Sequence, residues 1–150
     1  MRIFEGIDPM YEAVGEHLGF SAWHETTQEQ VDAFAEVTGG RQCIHVDPER
    51  AAAGPFGGTI AHGYLTLSLT ASLIPEVYRI DGLAMAVNYG ADRLRFPAPL
   101  RVGSRLRVGV ELTGVGRTSA GHRAVTVVTV EAEGSTAPVC VVEMITLLVP

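Results

Sequence analysis

Residues 57–74 read GGTIAHGYLTLSLTASLI and contain the longest apolar stretch of the chain. Apolar residues interspersed with Thr and Ser run from Ile60 to Ile74, just ahead of Pro75, and predict one buried helix, because proline cannot continue a helical hydrogen-bond ladder. Small and apolar residues fall on most faces of this helix, which is typical of a helix enclosed by other elements. The stretch is shorter than the ~20 residues that cross a bilayer, so no membrane partner is expected.

The segment before this helix predicts two shorter helices. Thr27 and Gln30 match a capping box, in which a threonine N-cap pairs with a glutamine three residues later. The helix that starts there is expected to stop at Gly39-Gly40, since paired glycines favour left-handed or loop backbone. Asp47 is expected to cap the second helix, which has a proline in its first turn. His45 is predicted to lie in the loop between the two.

Four runs rich in valine and leucine follow, separated by turns that contain glycine. One run alternates polar and apolar residues, as a half-buried antiparallel strand does. The predicted strands are Leu83–Phe96, Arg105–Val115, His122–Ala132 and Val139–Val149. Helices followed by strands predict an α+β fold, in which an antiparallel sheet packs on one long helix within a single domain of residues 1–150.

Composition argues against some classes of function. The 150 residues carry a formal net charge of -6, whereas nucleic-acid binding needs a basic face. An anionic substrate would need a local basic patch for the same reason. Cys43 and Cys140 lie far apart and have no metal-binding spacing, so two free thiols in a reducing cytoplasm are expected. The first residues contain no apolar secretory signal, which also favours a cytoplasmic location.

Two motifs at a fixed spacing carry the chemistry. The first reads FAEVTGGRQCIHVD at residues 34–47, and the second reads FGGTIAHGYLTLS at residues 56–68. The later segments NYG at 88–90 and RLRFPAP at 93–99 extend the pattern. Over nearly its whole length the chain resembles the MaoC-like dehydratases, which include the (R)-specific enoyl-CoA hydratases.

This resemblance implies a hot-dog fold, with an antiparallel sheet wrapped around a long central helix. It also implies reversible hydration of a 2-enoyl thioester, without a metal or an organic cofactor. His45 matches the catalytic histidine, and Gly63 matches the residue whose N–H binds the thioester oxygen as enolate charge develops. Ser68 matches a serine that supports the catalytic pair, although a serine hydroxyl bonded to a backbone carbonyl is an equally open interpretation.

Gly40 is the point at which this sequence departs from the family pattern. The resembling enzymes have a catalytic aspartate here, five residues before the histidine, and glycine has no side chain that accepts a proton. Three explanations stay open: the chain is a substituted variant of an active hydratase and turns over poorly, it is a natural divergent member whose reaction one histidine can support, or it only binds a thioester or a related ligand. The alternative to a hydratase is a binding protein or an enzyme that acts on a cyclic or polyketide-like substrate. Gly40 also leaves room for a bulkier substrate. Asp47 is the nearest carboxylate in sequence, but its expected role is a helix cap.

Other polar residues are weaker candidates. Arg93 and Arg95 would lie on one face of an extended strand, where they are predicted to bind substrate phosphates or are simply solvated. His62 is expected to be structural, because the family's acid–base role maps to His45. A metal site of His45, Asp47 and His62 is not favoured, since their spacing does not place them on one helix face. No Gly-x-Ser-x-Gly turn of a serine hydrolase occurs.

The expected partner is the substrate itself, an acyl-CoA or an acyl-carrier-protein thioester. The resemblance also implies a homodimer or a dimer of dimers with the sites at the interface. Such pairing would cover the sheet edge that a single subunit leaves open.

Overall fold

The computed structural model describes all 150 residues as five helices and eight strands. The helices are α1 (Asp8–Glu12), α2 (Gln28–Thr38), α3 (Cys43–Val46), α4 (Pro48–Ala52) and α5 (Gly63–Val77). The strands are β1 (Arg2–Glu5), β2 (His17–Phe20), β3 (His24–Glu25), β4 (Tyr78–Asp81), β5 (Met85–Arg95), β6 (Arg105–Thr118), β7 (Gly121–Ala132) and β8 (Cys140–Val149).

The main sheet has six antiparallel strands in the order β2-β6-β7-β8-β5, with β3 also paired to β6. Its four long strands are those predicted from the valine-rich runs, and the fold is the predicted α+β class. The three short strands near the N-terminus were not predicted. One of them, β1, pairs in parallel with β4 in a separate two-stranded sheet, a long-range pairing that no local pattern announces.

One face of the main sheet packs on α5. Alternate residues of β6 and β7 are buried while their neighbours are more exposed, because successive side chains of a strand point to opposite faces. The buried residues join those of α5 in a core cluster of 23 residues. Each fully buried aliphatic side chain contributes about 1.5–3 kcal/mol through removal of apolar surface from water.

The central helix is displaced from its predicted bounds. It begins at Gly63 rather than Ile60, because His62 is an extended N-cap and Ile60 pairs in an isolated bridge with Arg101. It continues through Pro75 to Val77. Proline in the last turn removes only one ladder hydrogen bond, and buried Val77, with 2% of its surface exposed, holds the end of the helix in the core.

The same helix is not enclosed on all sides, contrary to the sequence prediction. Tyr64, Ser68, Ala71 and Ser72 are exposed. The edge strand β5 is exposed at every residue except Leu94. Hydrophobic side chains of this surface, such as Tyr64 and Tyr89, are therefore largely open to solvent in a single chain.

Both predicted ends of α2 and the predicted N-cap of α4 are confirmed. The Thr27 hydroxyl accepts a hydrogen bond from the Gln30 N–H, and the Gln30 side chain bonds the Thr27 N–H in return. Gly39 follows α2 in the left-handed conformation, with φ of 75°. The Asp47 carboxylate caps α4 by accepting the Arg50 N–H. No helix of the chain has the length and hydropathy to span a membrane.

Candidate active site

His45 lies on the one-turn helix α3 rather than in the predicted loop, because the His45 and Val46 N–H groups both donate to the Gln42 carbonyl. A further hydrogen bond fixes the His45 ring. Its Nδ1 is 2.7 Å from the Ile60 carbonyl oxygen. A carbonyl only accepts, so Nδ1 carries the proton and Nε2 has the free lone pair. The Ile60 N–H in turn donates to the Ile44 carbonyl. This pair of bonds ties the Ile44 backbone and the His45 ring to the segment that precedes α5.

The His45 ring lines a cavity of about 310 Å³ at the N-terminal end of α5. The cavity wall is mostly apolar and contains no Asp or Glu. Besides His45 it consists of Phe56, Ile60, Ala61, Gly63, Thr66, Phe96, Pro97, Ala98, Pro99, Leu100 and Val139. The structure thus brings together His45 and Gly63, two of the three residues predicted to be catalytic.

Gly63 is the first residue of α5, so its N–H has no acceptor within the helix. An N–H at this end of a helix binds a negative oxygen favourably, because the helix dipole adds to the hydrogen bond. A Cβ atom on Gly63 would lie 2.9 Å from ring carbons of Phe96. The glycine therefore also permits close packing, and both roles weighed from the sequence are compatible at one position.

The pKa of His45 is lowered. Burial is the main cause, because it disfavours the charged imidazolium, and nearby His62 lowers the pKa further. The hydrogen bond to the Ile60 carbonyl partly opposes these effects. His45 is therefore a neutral imidazole at physiological pH, with Nε2 available as a proton acceptor.

His62 packs directly on His45. The two rings are stacked with centroids 3.8 Å apart and 24° between their planes. The His62 ring also contacts Phe34, at a centroid distance of 5.0 Å. Its Nε2 is 2.7 Å from the Gly40 carbonyl. The sequence identified His62 as structural, and the contact with His45 could not be read from spacing alone.

No carboxylate occupies the place expected of a catalytic aspartate. A Cβ atom on Gly40 would lie 3.3 Å from His62 Nε2, so a side chain at position 40 would begin beside the His62 imidazole. Asp47, the nearest candidate in sequence, is engaged as the α4 cap. The Glu36 carboxylate pairs with Arg41 on the surface.

Ser68 does not line the cavity. It lies on the exposed face of α5, and its hydroxyl donates to the Tyr64 carbonyl at 2.7 Å. This is the backbone-bonded alternative considered for a serine on this helix. A supporting role for Ser68 stays a prediction, and within one chain nothing of the site lies against it.

The two predicted phosphate-binding arginines do not share one strand face. A β-bulge interrupts β5 between Asp92 and Arg95, and Arg93 adopts a left-handed backbone with φ of 52°. The alternation assumed from the sequence fails there, since a bulge inserts an extra residue. Arg93 pairs with Glu143 at 2.9 Å, and neither arginine lines the cavity of His45. Their role in substrate binding stays a prediction.

Gln28 was not predicted to belong to the site, although both its amide nitrogen and its amide oxygen form hydrogen bonds there. Its Nε2 donates to the His45 carbonyl at 2.7 Å and to Asp32 at 2.8 Å. Its Oε1 accepts the Thr59 hydroxyl at 2.7 Å. The first turn of α2 therefore holds both segments that carry the site. As an ordinary residue after a helix cap, Gln28 gave no signal in the sequence.

No group of three or more His, Cys, Asp and Glu side chains is arranged to hold a metal ion. The orientation of His45 is already accounted for by the Ile60 carbonyl. The chemistry of the site is therefore best derived from an imidazole, a backbone N–H and an apolar wall.

Comparison with known proteins identifies the family. The model of the MaoC like domain matches residues 10–135. The 3-hydroxyacyl-thioester dehydratase Z of Mycobacterium tuberculosis is 51% identical over 146 residues, which cover 97% of each chain. Nodulation protein N of Rhizobium leguminosarum is 42% identical over 138 residues, 90% of this chain and 86% of that protein.

The fold agrees with this result. The solved structure of the (R)-hydratase from A. caviae involved in PHA biosynthesis superposes with a TM-score of 0.72 and 25% identity, covering 91% of this chain and 96% of the other. The chain belongs to the MaoC-like domain family and has its hot-dog fold.

Proposed function

We propose that this protein is a hydro-lyase that adds water reversibly to a 2-enoyl thioester and forms an (R)-3-hydroxyacyl thioester. The observation that carries the proposal is the convergence of His45 and the Gly63 N–H on one mostly apolar cavity. A base and an oxyanion donor in one water-poor site are what this reaction needs. The names of the similar dehydratase and hydratase support the same reaction class.

Each group has a distinct task. His45 Nε2 accepts a proton from a water molecule, whose oxygen attacks C3 of the enoyl group. The electron pair of the double bond moves toward the thioester carbonyl, whose oxygen gains negative charge and is bound by the Gly63 N–H. Delivery of a proton to C2 restores the carbonyl and completes the addition.

The acyl chain is proposed to bind farther along the central helix. An apolar cavity of about 360 Å³ lies between α5 and the inner face of the sheet, beyond the cavity of His45. Its wall includes Ala71, Ile74 and Met144, together with Ala86 of the edge strand. Apolar walls of this kind bind a hydrocarbon chain through removal of its surface from water. The carrier is proposed to be coenzyme A or an acyl carrier protein.

We further propose that two copies pair through the edge strand β5. Tyr64 and Tyr89, on α5 and β5, are 66% and 72% exposed, and Met85 is 54% exposed. An open edge strand bordered by hydrophobic side chains favours pairing with another strand. A homodimer, or a dimer of such dimers, would place Ser68 and the exposed face of α5 at or near the interface.

Sedimentation equilibrium tests the dimer. Tyr89→Glu is expected to shift the protein to monomer mass, because a carboxylate on the edge opposes strand pairing. Val37→Glu is the matched control, since Val37 is 86% exposed on α2 and is expected to leave the mass unchanged. A wild-type monomer, or an unchanged mass for Tyr89→Glu, contradicts pairing through this strand.

The central experiment is hydration of crotonyl-CoA, followed by loss of the enoyl thioester absorbance and by chiral analysis of the product. His45→Gln is expected to lower kcat by about 10²–10⁴-fold, since it removes the base. His24→Gln, an exposed histidine paired with Glu76, is the control and is expected to retain full activity.

Binding of the thioester without hydration by wild-type protein would instead support the second candidate, a thioester-binding protein, which the missing carboxylate at Gly40 favours. Equal rates for wild type and His45→Gln would exclude His45 as the base. A product of (S) configuration would contradict the proposed stereochemistry.

We propose that the protein acts as one domain in the cytoplasm. Cys43 and Cys140 are both free thiols, which is the usual state in a reducing compartment. A single core cluster joins residues from Phe4 to Leu148, and this supports one domain.

A further inference from the structure

The His62 side chain joins residue 40 to the catalytic histidine. Its Nε2–H donates to the Gly40 carbonyl at 2.7 Å, because a carbonyl cannot donate. Its ring is stacked on His45 and also contacts the Phe34 ring. The ring is therefore held by two aromatic contacts and by a hydrogen bond at one nitrogen.

Packing alone does not account for an imidazole at this position. The second nitrogen, Nδ1, is buried and has no hydrogen-bond partner. A buried polar atom without a partner costs about 1–3 kcal/mol, and a phenyl ring would fill the same space without that cost. The advantage of histidine over phenylalanine at position 62 therefore lies in its Nε2–H.

The function of the His62 Nε2–H follows from its location next to Gly40. A Cβ atom on residue 40 would lie 3.3 Å from His62 Nε2 and 3.4 Å from Cδ2. An aspartate here would begin beside the His62 imidazole. Without that side chain, the backbone carbonyl of Gly40 is the group that remains at this spot, and His62 binds it.

We propose that His62 is a positioning residue that replaces the missing carboxylate: it anchors the Gly40 carbonyl and the face of the His45 ring, so that His45 is the only proton carrier of the reaction. This inference rests on the proposed hydratase function. It goes beyond that function because it assigns both proton transfers to one imidazole and gives His62 a role in the reaction.

A single base, His45, is sufficient for both proton transfers of the reaction. An O–H bond of water breaks as His45 Nε2 takes the proton, and the oxygen–C3 bond forms while the electron pair of the double bond moves to the thioester oxygen. The protonated His45 then returns the same proton to C2, and the carbonyl reforms. One water molecule has been added, and His45 is neutral again. No redox partner is needed.

Few charged groups surround His45, so a change in the pKa of His45 reports mainly on its contact with His62. Asp32 of α2 bonds the Gln28 amide, and Asp47 caps α4. Cys43 is the other titratable group of α3 besides His45 itself, and His62 faces His45 from the N-terminus of α5. The Phe96–Leu100 segment adds no ionisable side chain.

Two substitutions separate the two contacts of His62. His62→Phe keeps an aromatic face against His45 but removes the donor to Gly40. His62→Gln keeps a donor but removes the aromatic face. We expect each to lower kcat for crotonyl-CoA by about 10- to 100-fold, since small misplacements of a catalytic group are costly, with little change in KM. We also expect His62→Phe to keep or raise the Tm, because the unpaired Nδ1 is gone.

NMR titration of the His45 ring supplies a measurement that does not depend on turnover. His62→Phe is expected to move the His45 midpoint upward, because the electrostatic effect by which His62 lowers the pKa of His45 is removed, whereas His24→Phe is expected to leave it in place. Unchanged kcat and an unchanged His45 midpoint in His62→Phe would overturn the proposal.

Two further outcomes are distinguishable. If the variants fail to fold, the tautomer of His62 in the wild-type protein decides: a proton on Nε2 supports the proposal, and a proton on Nδ1 overturns it. If the wild type hydrates no enoyl thioester, the proposed function fails, while the titration still reports on the contact between the two histidines.

Discussion

The Phe96 ring packs so closely on Gly63 that a Cβ atom on Gly63 would lie 2.9 Å from its ring carbons. Because the packing at residue 63 involves one known ring, its effect can be separated from the effect of the backbone N–H of residue 63. Gly63→Ala alone is expected to destabilise the protein by about 1–3 kcal/mol, as overpacking does. Adding Phe96→Ala makes room for the new methyl group and is expected to relieve most of that loss, as measured by chemical denaturation.

In the Phe96→Ala background, the contribution of the residue 63 N–H to kcat can then be measured separately from packing. Proline is tolerated as the first residue of a helix, and His62 already has the extended conformation, with ψ of 141°, that suits a residue before proline. In the Phe96→Ala background we expect Gly63→Pro to have about 10²–10³-fold lower kcat than Gly63→Ala, because it lacks the oxyanion donor. Similar kcat values for the two double variants would rule out that role.

A carboxylate restored at position 40 is expected to raise activity. Gly40 does not require the left-handed backbone region, and the two nearest groups to a new Cβ would be the His62 ring and the Thr38 hydroxyl. Gly40→Asp adds a second acid–base group, worth up to about 10²–10⁴-fold in rate. Gly40→Asn has the same shape without the charge and is expected to give no increase. An unchanged rate for Gly40→Asp would mean that the carboxylate is not what limits this enzyme.

The pH dependence of the reaction follows from the state of His45. Its pKa is lowered by burial and by His62, and the reaction uses the neutral base. The rate is therefore expected to rise with pH through a midpoint below the ordinary histidine value of about 6.5 and to stay level above it. Profiles of kcat/KM against pH check this. A midpoint above that value would show that the protonated form of His45 is stabilised, contrary to its surroundings.

Substitutions of the two arginines of β5 are expected to have different effects. Arg93 already pairs with Glu143, whereas the Arg95 side chain donates to the Arg93 carbonyl and has no carboxylate partner. If the carrier phosphates bind this strand, Arg95→Gln is expected to raise KM for crotonyl-CoA more than Arg93→Gln does. Crotonyl-N-acetylcysteamine, which has no phosphate, is the control substrate and is expected to show no change. Equal effects on both substrates would exclude phosphate binding.

The local structure around the site could be predicted because short-range physics determines it. The capping box at Thr27, the left-handed Gly39 and the Asp47 cap each depend on residues within a few positions of one another. Helix α5 was predicted from its apolar character, with bounds shifted by three residues at each end. Its start depends on the bridge between Ile60 and Arg101, which are distant in sequence.

The sequence by itself determined the fold class and the four long strands of the main sheet, and it proposed His45 and Gly63 as site residues, because hydrophobic periodicity, caps and paired motifs are written in consecutive residues. Only the tertiary structure decided the tautomer of His45, the stacking of His62, the anchoring by Gln28 and the bulge that separates Arg93 from Arg95. These features arise from contacts between segments far apart in the chain, where side-chain packing and hydrogen-bond geometry, rather than residue spacing, select the arrangement.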